Sequence, residues 1–294
     1  MELITGVNDS GRRLDRILRK ALPNTPLPLL HRLLRQKKVT VNGEPKDAQY
    51  RPGAGEIIVI PVEQIQKTPP PKRFLDSPLE IIWEDSSLLA VNKPAGIEVH
   101  GKNSLDAMVR SYLADKLPSS LSFTPGPLHR LDKPTSGIVI FSKSINGARL
   151  FSSLLQEQKV FKTYLAIIEG VVDKEQVWED ELVRDREKKK TFIVRQKLKE
   201  SKTAGSILKP VCNNGSFSLV TVKIITGRTH QIRAQAAFHG HPLYGDRKYS
   251  NKGDGRFFLH SWKTEFLDVS IKAPPPLDFI KKTEELFPQG RPFL

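Results

Sequence analysis

The sequence predicts an α+β protein: a mixed, largely antiparallel sheet flanked by helices and loops, preceded by a small α/β unit. Three observations carry this expectation. Short β-type runs recur from residue 81 onward without the regular strand–helix repetition of a doubly wound fold. Two amphipathic stripes and two short β runs are confined to residues 11–60. A proline-rich, charged stretch, QIQKTPPPKR at 64–73, lies between the two parts and reads as a semi-rigid linker. The expected division is therefore residues 1–63, a linker over 64–73, and a larger domain over 74–294.

In the first part, Leu14, Ile17, Leu18, Ala21 and Leu22 fall at helical spacing. Arg12, Arg13, Arg16, Arg19 and Lys20 occupy the other turns. Pro23, Pro26 and Pro28 break this helix, and Leu30, Leu33 and Leu34 mark a second, accompanied by Arg32, Arg35, Lys37 and Lys38. Val39-Thr40-Val41, the turn pair Asn42-Gly43 and the run Ile57 to Ile60 then give two strands. This helix–helix–strand–strand unit, centred on LLRQKKVTVNG, resembles the S4 RNA-binding module over residues 11–62. The resemblance implies Arg12, Arg13, Arg16, Arg32, Arg35, Lys37 and Lys38 as RNA contacts. Lys38 stands where a glycine commonly precedes the strand, and Gly55-Glu56 where Gly-Asp is typical, which leaves the turn geometry open.

Charge points the same way. Lys and Arg number 47 against 32 Asp and Glu, a net +15 that favours polyanionic partners, although a basic surface also serves solubility. The single cysteine, Cys212, excludes an intrachain disulfide and a cysteine-rich zinc site. The first residues carry Glu2 and no sustained apolar run, so they do not read as a signal peptide, and no later stretch approaches a membrane span. The glycosylation patterns at Asn8 and Asn214 then read as chance matches. A cytoplasmic monomer is expected.

In the larger part, residues 81–83, 88–91, 137–141 and 217–220 read as strands, and 105–117, 148–158 and 230–238 as helices. The segment with the densest polar chemistry is His129-Arg130-Leu131-Asp132-Lys133-Pro134-Thr135-Ser136-Gly137, a loop by its turn residues. Asp132 alone is more often a turn cap than a site. Tyr164, among Leu165, Ala166 and Ile167, is by itself more readily a core strand residue than a site. The run from Arg184 to Lys190 suits either a phosphate grip or a solvated loop.

Three segments taken in order narrow these choices. HRLDKPTSGIVIFSKS, KTYLAIIEG and ITGRTHQIRAQ, with VNKPAGIEVH before them and HPLYGDRKY and LHSW after, resemble the RluA-type pseudouridine synthases over residues 81–262. Ser142 where alanine is common, and Gly101 where proline is common, are mild departures. The resemblance implies Asp132 as the catalytic carboxylate, Tyr164 as the aromatic that meets the target base, and Arg233 as the partner of Asp132. It further implies that Arg130 inserts into the RNA and that Ile232 packs on the uracil. Arg228, Thr229, His129 and Lys143 complete the candidate substrate contacts.

These groups suit an isomerisation in which uracil leaves its ribose, turns and reattaches through carbon, a reaction that needs no redox cofactor or energy source. A carboxylate can attack the anomeric carbon or remove a sugar proton. A guanidinium beside it would lower its pKa by about 1 to 3 units. His129, His230 and His239 show no ligand spacing with acidic residues, so metal-dependent hydrolysis is not supported. The implied partner is structured RNA, with large-subunit ribosomal RNA preferred by analogy. A transfer-RNA-directed synthase and a non-catalytic, RNA-binding ribosome-assembly factor are the alternatives.

Overall fold

A computed structural model of the chain describes residues 1–61, 78–250 and 256–289. The expected linker at 64–73 lies outside the described residues. The N-terminal part comprises β1 (Glu2–Ile4), α1 (Leu14–Ala21), α2 (Leu27–Arg35), β2 (Thr40–Val41), β3 (Glu44–Pro45) and β4 (Ile57–Val59). Its four strands order β1-β4-β2-β3. Leu14, Ile17 and Leu18 of α1 and Leu30, Leu33 and Leu34 of α2 bury their stripes against Val41, Ile58 and Ile60, as the spacing predicts. β1 was not legible, because three residues with an exposed, half-buried, exposed pattern carry no periodic signal. The turn before β2 is made one residue ahead of Lys38, where Lys37 takes a left-handed φ of 54°. Its amide and that of Lys38 return to Leu34 and Leu33 to close α2.

The second sheet is built from β5 (Ile81–Glu84), β6 (Leu88–Lys93), β7 (Gly126–Pro127), β8 (Ser136–Ser142), β9 (Phe161–Glu169), β10 (Gln176–Asp185), β11 (Lys190–Val194), β12 (Lys202–Asn213), β13 (Phe217–Ile224), β14 (Leu259–Phe266) and β15 (Val269–Lys272). Helices α3 (Leu105–Leu113), α4 (Ile145–Gln156), α5 (Gln231–Phe238), α6 (Arg247–Ser250) and α7 (Leu277–Leu286) flank it. The main path runs β11-β10-β12-β13-β9-β14-β8-β6-β5, with β15 on β14 and β7 on β8. Its pairings are antiparallel except that of β14 with β8, where His260 faces Ser136 and Ser261 faces Gly137. The expected mixed, largely antiparallel sheet is thus the fold.

Period-two alternation sorts the two faces of this sheet. Leu89, Val91, Val139, Phe141, Tyr164 and Ala166 share one core with Val109 of α3 and Ile232 and Ala236 of α5. Leu88, Ala90, Ile138 and Ile140 point the other way, onto Phe151 and Leu154 of α4. Leu165 and Ile167 do so onto Phe279 of α7. At the parallel pair, Gly137 adopts a φ of 105°, and a Cβ there would fall 2.2 Å from the Ser261 carbonyl oxygen. Only glycine lets the two backbones approach so closely.

The N-terminal part docks on the larger one through Asp9. This fully buried carboxylate accepts hydrogen bonds from the amide and hydroxyl of Ser122, the amide of Leu121, the hydroxyl of Ser120 and the amide of Gly6. Those donors outweigh the penalty of burial and hold its pKa below the usual carboxylate value. Beside it, Arg12 donates to the carbonyl and hydroxyl oxygens of Ser122.

Candidate active site

Asp132 begins a turn that leads into β8, closed by the Thr135 amide donating to its carbonyl. Neighbours hold the loop in place. Lys93, at the end of β6 and fully buried, gives its three ammonium protons to the carbonyls of Pro94, Ile97 and Lys133. Burial pulls the Lys93 pKa down to about 7, against the upward pull of Asp132. The Gly96 amide also donates to Lys133, and Arg256 donates to Pro134.

Arg233 reaches the same loop from α5. Its Nη1 donates to Asp132 Oδ2 at 3.0 Å, while its Nε and Nη2 form a fork on Asp246 at 2.7 and 2.8 Å. Phe257 and Tyr249 lie against the guanidinium, with ring centroids 4.3 and 5.0 Å away. Burial opposes this cation, but Asp246 and Asp132 outweigh it and push its pKa up. Two further polar side chains of α5 are buried and satisfied. Gln231 donates to Gly205 and Ser206, and Gln235 to Asp180 and Ala204.

His230 precedes α5 in a left-handed conformation, φ 55°, which costs a non-glycine residue on the order of 1 kcal/mol. Its Nε2 lies 3.6 Å from Asp132 Oδ2, and its Nδ1 2.9 Å from the Tyr249 hydroxyl.

Beside Asp132 apolar side chains join the charged ones. Leu131, Tyr164, Ile224, Ile232 and Leu259 line a cavity of about 70 Å³ together with Asp132, Arg130, Arg228 and Arg233. Burial, and then the charge of Asp132, push the Tyr164 phenol up to about 12. On the other side of Asp132 a space of about 550 Å³ is walled by Arg130, Lys133, Arg184, Lys189 and Lys248.

Asp132, Tyr164, Arg233, Arg130, Ile232 and Arg228 thus converge on one cavity, and Thr229 borders the adjoining cleft. Two candidate substrate contacts do not reach it. The His129 ring accepts the Ile140 amide and stacks on Phe151, on the α4 face of the sheet. Lys143 pairs with Glu84 at 2.6 Å; β8 carries it roughly 20 Å along the strand from the Asp132 loop. In the N-terminal part, Arg12 is engaged with Ser122 and Arg13 with Asp15. Arg16, Arg32, Arg35, Lys37 and Lys38 are exposed. The run 184–190 is the tip of the β10–β11 hairpin, fastened where the Thr191 hydroxyl donates to Thr229 and Lys248 donates to Lys189.

Sequence reasoning assigned no role to Asp246, Tyr249 or Lys93, although VNKPAGIEVH and HPLYGDRKY contain them. It weighed His230 only as a metal ligand. The one available signal was an acid and a tyrosine three residues apart within a segment that already matched.

The chain matches the family described as "RNA pseudouridylate synthase" over residues 87–238, a span that contains Asp132, Tyr164 and Arg233. It belongs to that family, and is an isomerase that converts uridine to pseudouridine. Relatives named "Ribosomal large subunit pseudouridine synthase C" include one from Pasteurella multocida, 34% identical over 92% of this chain and 88% of its own. Another, from Vibrio cholerae, is 32% identical over 88% and 86%. Among solved structures, "Human RNA Pseudouridylate Synthase Domain Containing 4" superposes with a TM-score of 0.61 at 23% identity, over 70% of this chain and 92% of that one. That likeness bears on the fold.

Proposed function

We propose that this synthase acts on a uridine turned out of large-subunit ribosomal RNA, with Asp132 as the carboxylate that works on the glycosidic bond. The observation that carries the reading is that Asp132 stands between a slot with one apolar wall, made by Leu131, Tyr164, Ile224, Ile232 and Leu259, and a basic surface. A uracil ring fits the chemistry of the first, stacked on Tyr164 and packed on Ile232; the RNA backbone fits the second. Extracting a base costs a few kcal/mol, which cationic contacts and an inserted Arg130 offset. Arg233 holds Oδ2 of Asp132 and steadies its charge. Asp132 then either attacks the anomeric carbon as uracil departs or removes a sugar proton. With its pKa near 12, Tyr164 stays protonated at neutral pH, so it serves through its ring and as a hydrogen-bond group. Stacking of this kind contributes roughly 1 to 3 kcal/mol per base.

The ribosomal substrate is supported by the names of the relatives and by the basic groove between α1 and α2, lined by Arg12, Arg16, Arg19 and Lys20. Residues 1–63 act in this reading as an S4-like RNA-binding domain ahead of a catalytic domain over 74–294, in a cytoplasmic monomer. The test is tritium release from 5-tritiated uridine in unmodified large-subunit ribosomal RNA. The wild type releases it and Asp132→Asn does not; equal release by both would remove Asp132 from the reaction. Mapping the pseudouridines missing from a deletion strain identifies the RNA, and losses confined to transfer RNA would overturn the ribosomal assignment.

A further inference from the structure

Oδ2 of Asp132 is crowded and Oδ1 is not. Arg233 Nη1 donates to Oδ2 at 3.0 Å and His230 Nε2 stands 3.6 Å from the same oxygen, whereas Oδ1 has no hydrogen-bond partner among the described residues. The identity of the His230 proton then matters, and the groups on the far side of the ring determine it. Arg184 Nη1 faces His230 Nδ1 at 3.4 Å, and a guanidinium has donors only. The Tyr249 hydroxyl lies 2.9 Å from the same nitrogen while accepting the Thr191 amide, so its own proton is available to Nδ1. Two donors converge on Nδ1, which must present its lone pair. The hydrogen of a neutral ring therefore sits on Nε2, toward Asp132.

The ring is neutral near pH 7: burial, with the cations of Arg233, Arg184 and Lys248, brings its pKa to about 4 against the opposing pull of Asp132. Its left-handed backbone places the ring between Tyr249 and Asp132. A separation of 3.6 Å is longer than a hydrogen bond, and contacts of this kind tighten when substrate closes the site.

We infer that His230 is a positioning residue for Asp132: held as its Nε2–H tautomer by Tyr249 and Arg184, it joins Arg233 in fixing Oδ2 and leaves Oδ1 as the reacting oxygen. This rests on the assignment of Asp132 above. Arg233 supplies charge to the carboxylate, and His230 supplies a neutral donor that sets its rotation without adding a second cation.

The test combines nitrogen-15 spectra of the histidine side chains with tritium release from in vitro transcribed large-subunit ribosomal RNA carrying 5-tritiated uridine. In the full-length wild type the His230 resonances, assigned by their loss in His230→Asn, show a neutral ring protonated at Nε2. Tyr249→Phe, which keeps the ring against Arg233, shifts them toward a tautomer mixture. Asparagine tolerates the left-handed backbone, but its amide cannot reach Asp132. His230→Asn accordingly lowers kcat roughly 10- to 100-fold with KM within about threefold. His230→Gln, whose amide nitrogen reaches the Nε2 position, recovers most of the loss. A wild-type ring protonated at Nδ1, a His230→Asn kcat within about twofold of wild type, or equal losses in both variants overturns the inference. Asp132→Asn is measured alongside. If it is active, the assignment of Asp132 falls; if it is inactive while His230→Asn is fully active, only the role of His230 falls.

Discussion

Asp246 takes the Nε and Nη2 edge of Arg233 and leaves only the Nη1 corner for Asp132. Asp246 is almost wholly buried, so its carboxylate fixes the direction of the guanidinium. Removing one partner of a buried ion pair costs about 3 to 5 kcal/mol, because the other charge is left uncompensated. Asp246→Asn is expected to lose that much stability in urea unfolding and to lower kcat about tenfold or more. A variant with wild-type stability and turnover would show that Asp132 alone orients Arg233.

His260 contributes to acid sensitivity. This fully buried ring is held between the Ser136 hydroxyl on Nδ1 and the Ala273 carbonyl on Nε2. Burial brings its pKa from 6.5 to about 4, against the opposing bond to Ala273. The unfolded chain therefore takes up this proton before the folded one. The contribution is complete above pH 6.5 and is lost as the pH falls through about 4, a span of about 3 kcal/mol. Unfolding in urea across this range should show a shallower pH slope for His260→Gln than for wild type. Identical slopes would place the acid sensitivity elsewhere.

Gly137→Ala addresses the central strand pair. The added methyl would meet the Ser261 carbonyl at 2.2 Å, and the residue would keep a φ that alanine resists. A loss above about 4 kcal/mol is expected, seen as failure to give a cooperative thermal transition near that of wild type. An unchanged transition would contradict the close approach of β8 and β14.

Asp9→Ala removes four acceptor contacts to residues 120–122 at once. Local opening should become easier by on the order of 1 kcal/mol for each amide bond lost. Hydrogen exchange at the amides of Leu121 and Ser122 should then quicken about tenfold, while amides in β8 and β9 keep their protection. Unchanged exchange at both amides would mean that other contacts hold the two parts together.

The legible parts of this molecule were those encoded locally. The stripes of α1 and α2 and the alternation in β6, β8 and β9 appear in the sequence because one face of each element is apolar. That Asp132, Tyr164 and Arg233 meet at one cavity was legible only through the segments around them. Singly, an acid in a turn and a tyrosine in a strand have commoner explanations. His129 and Lys143 were misplaced because proximity to Asp132 along the chain does not give side-chain direction. One faces the α4 side of the sheet, and the other sits beyond the far end of β8. Asp246 and Tyr249 were illegible because their significance is a contact with Arg233 and His230 across a loop.

The parallel pairing of β8 with β14 has a consequence for synthesis. It joins Ser136 to His260, 124 residues later, and Phe257, which backs the Arg233 guanidinium, stands just before β14. A nascent chain that has already exposed Asp132 and Tyr164 still lacks the strand that closes the sheet behind them. The cavity beside Asp132, which Leu259 of β14 helps to line, is therefore completed only after nearly the whole chain has been made.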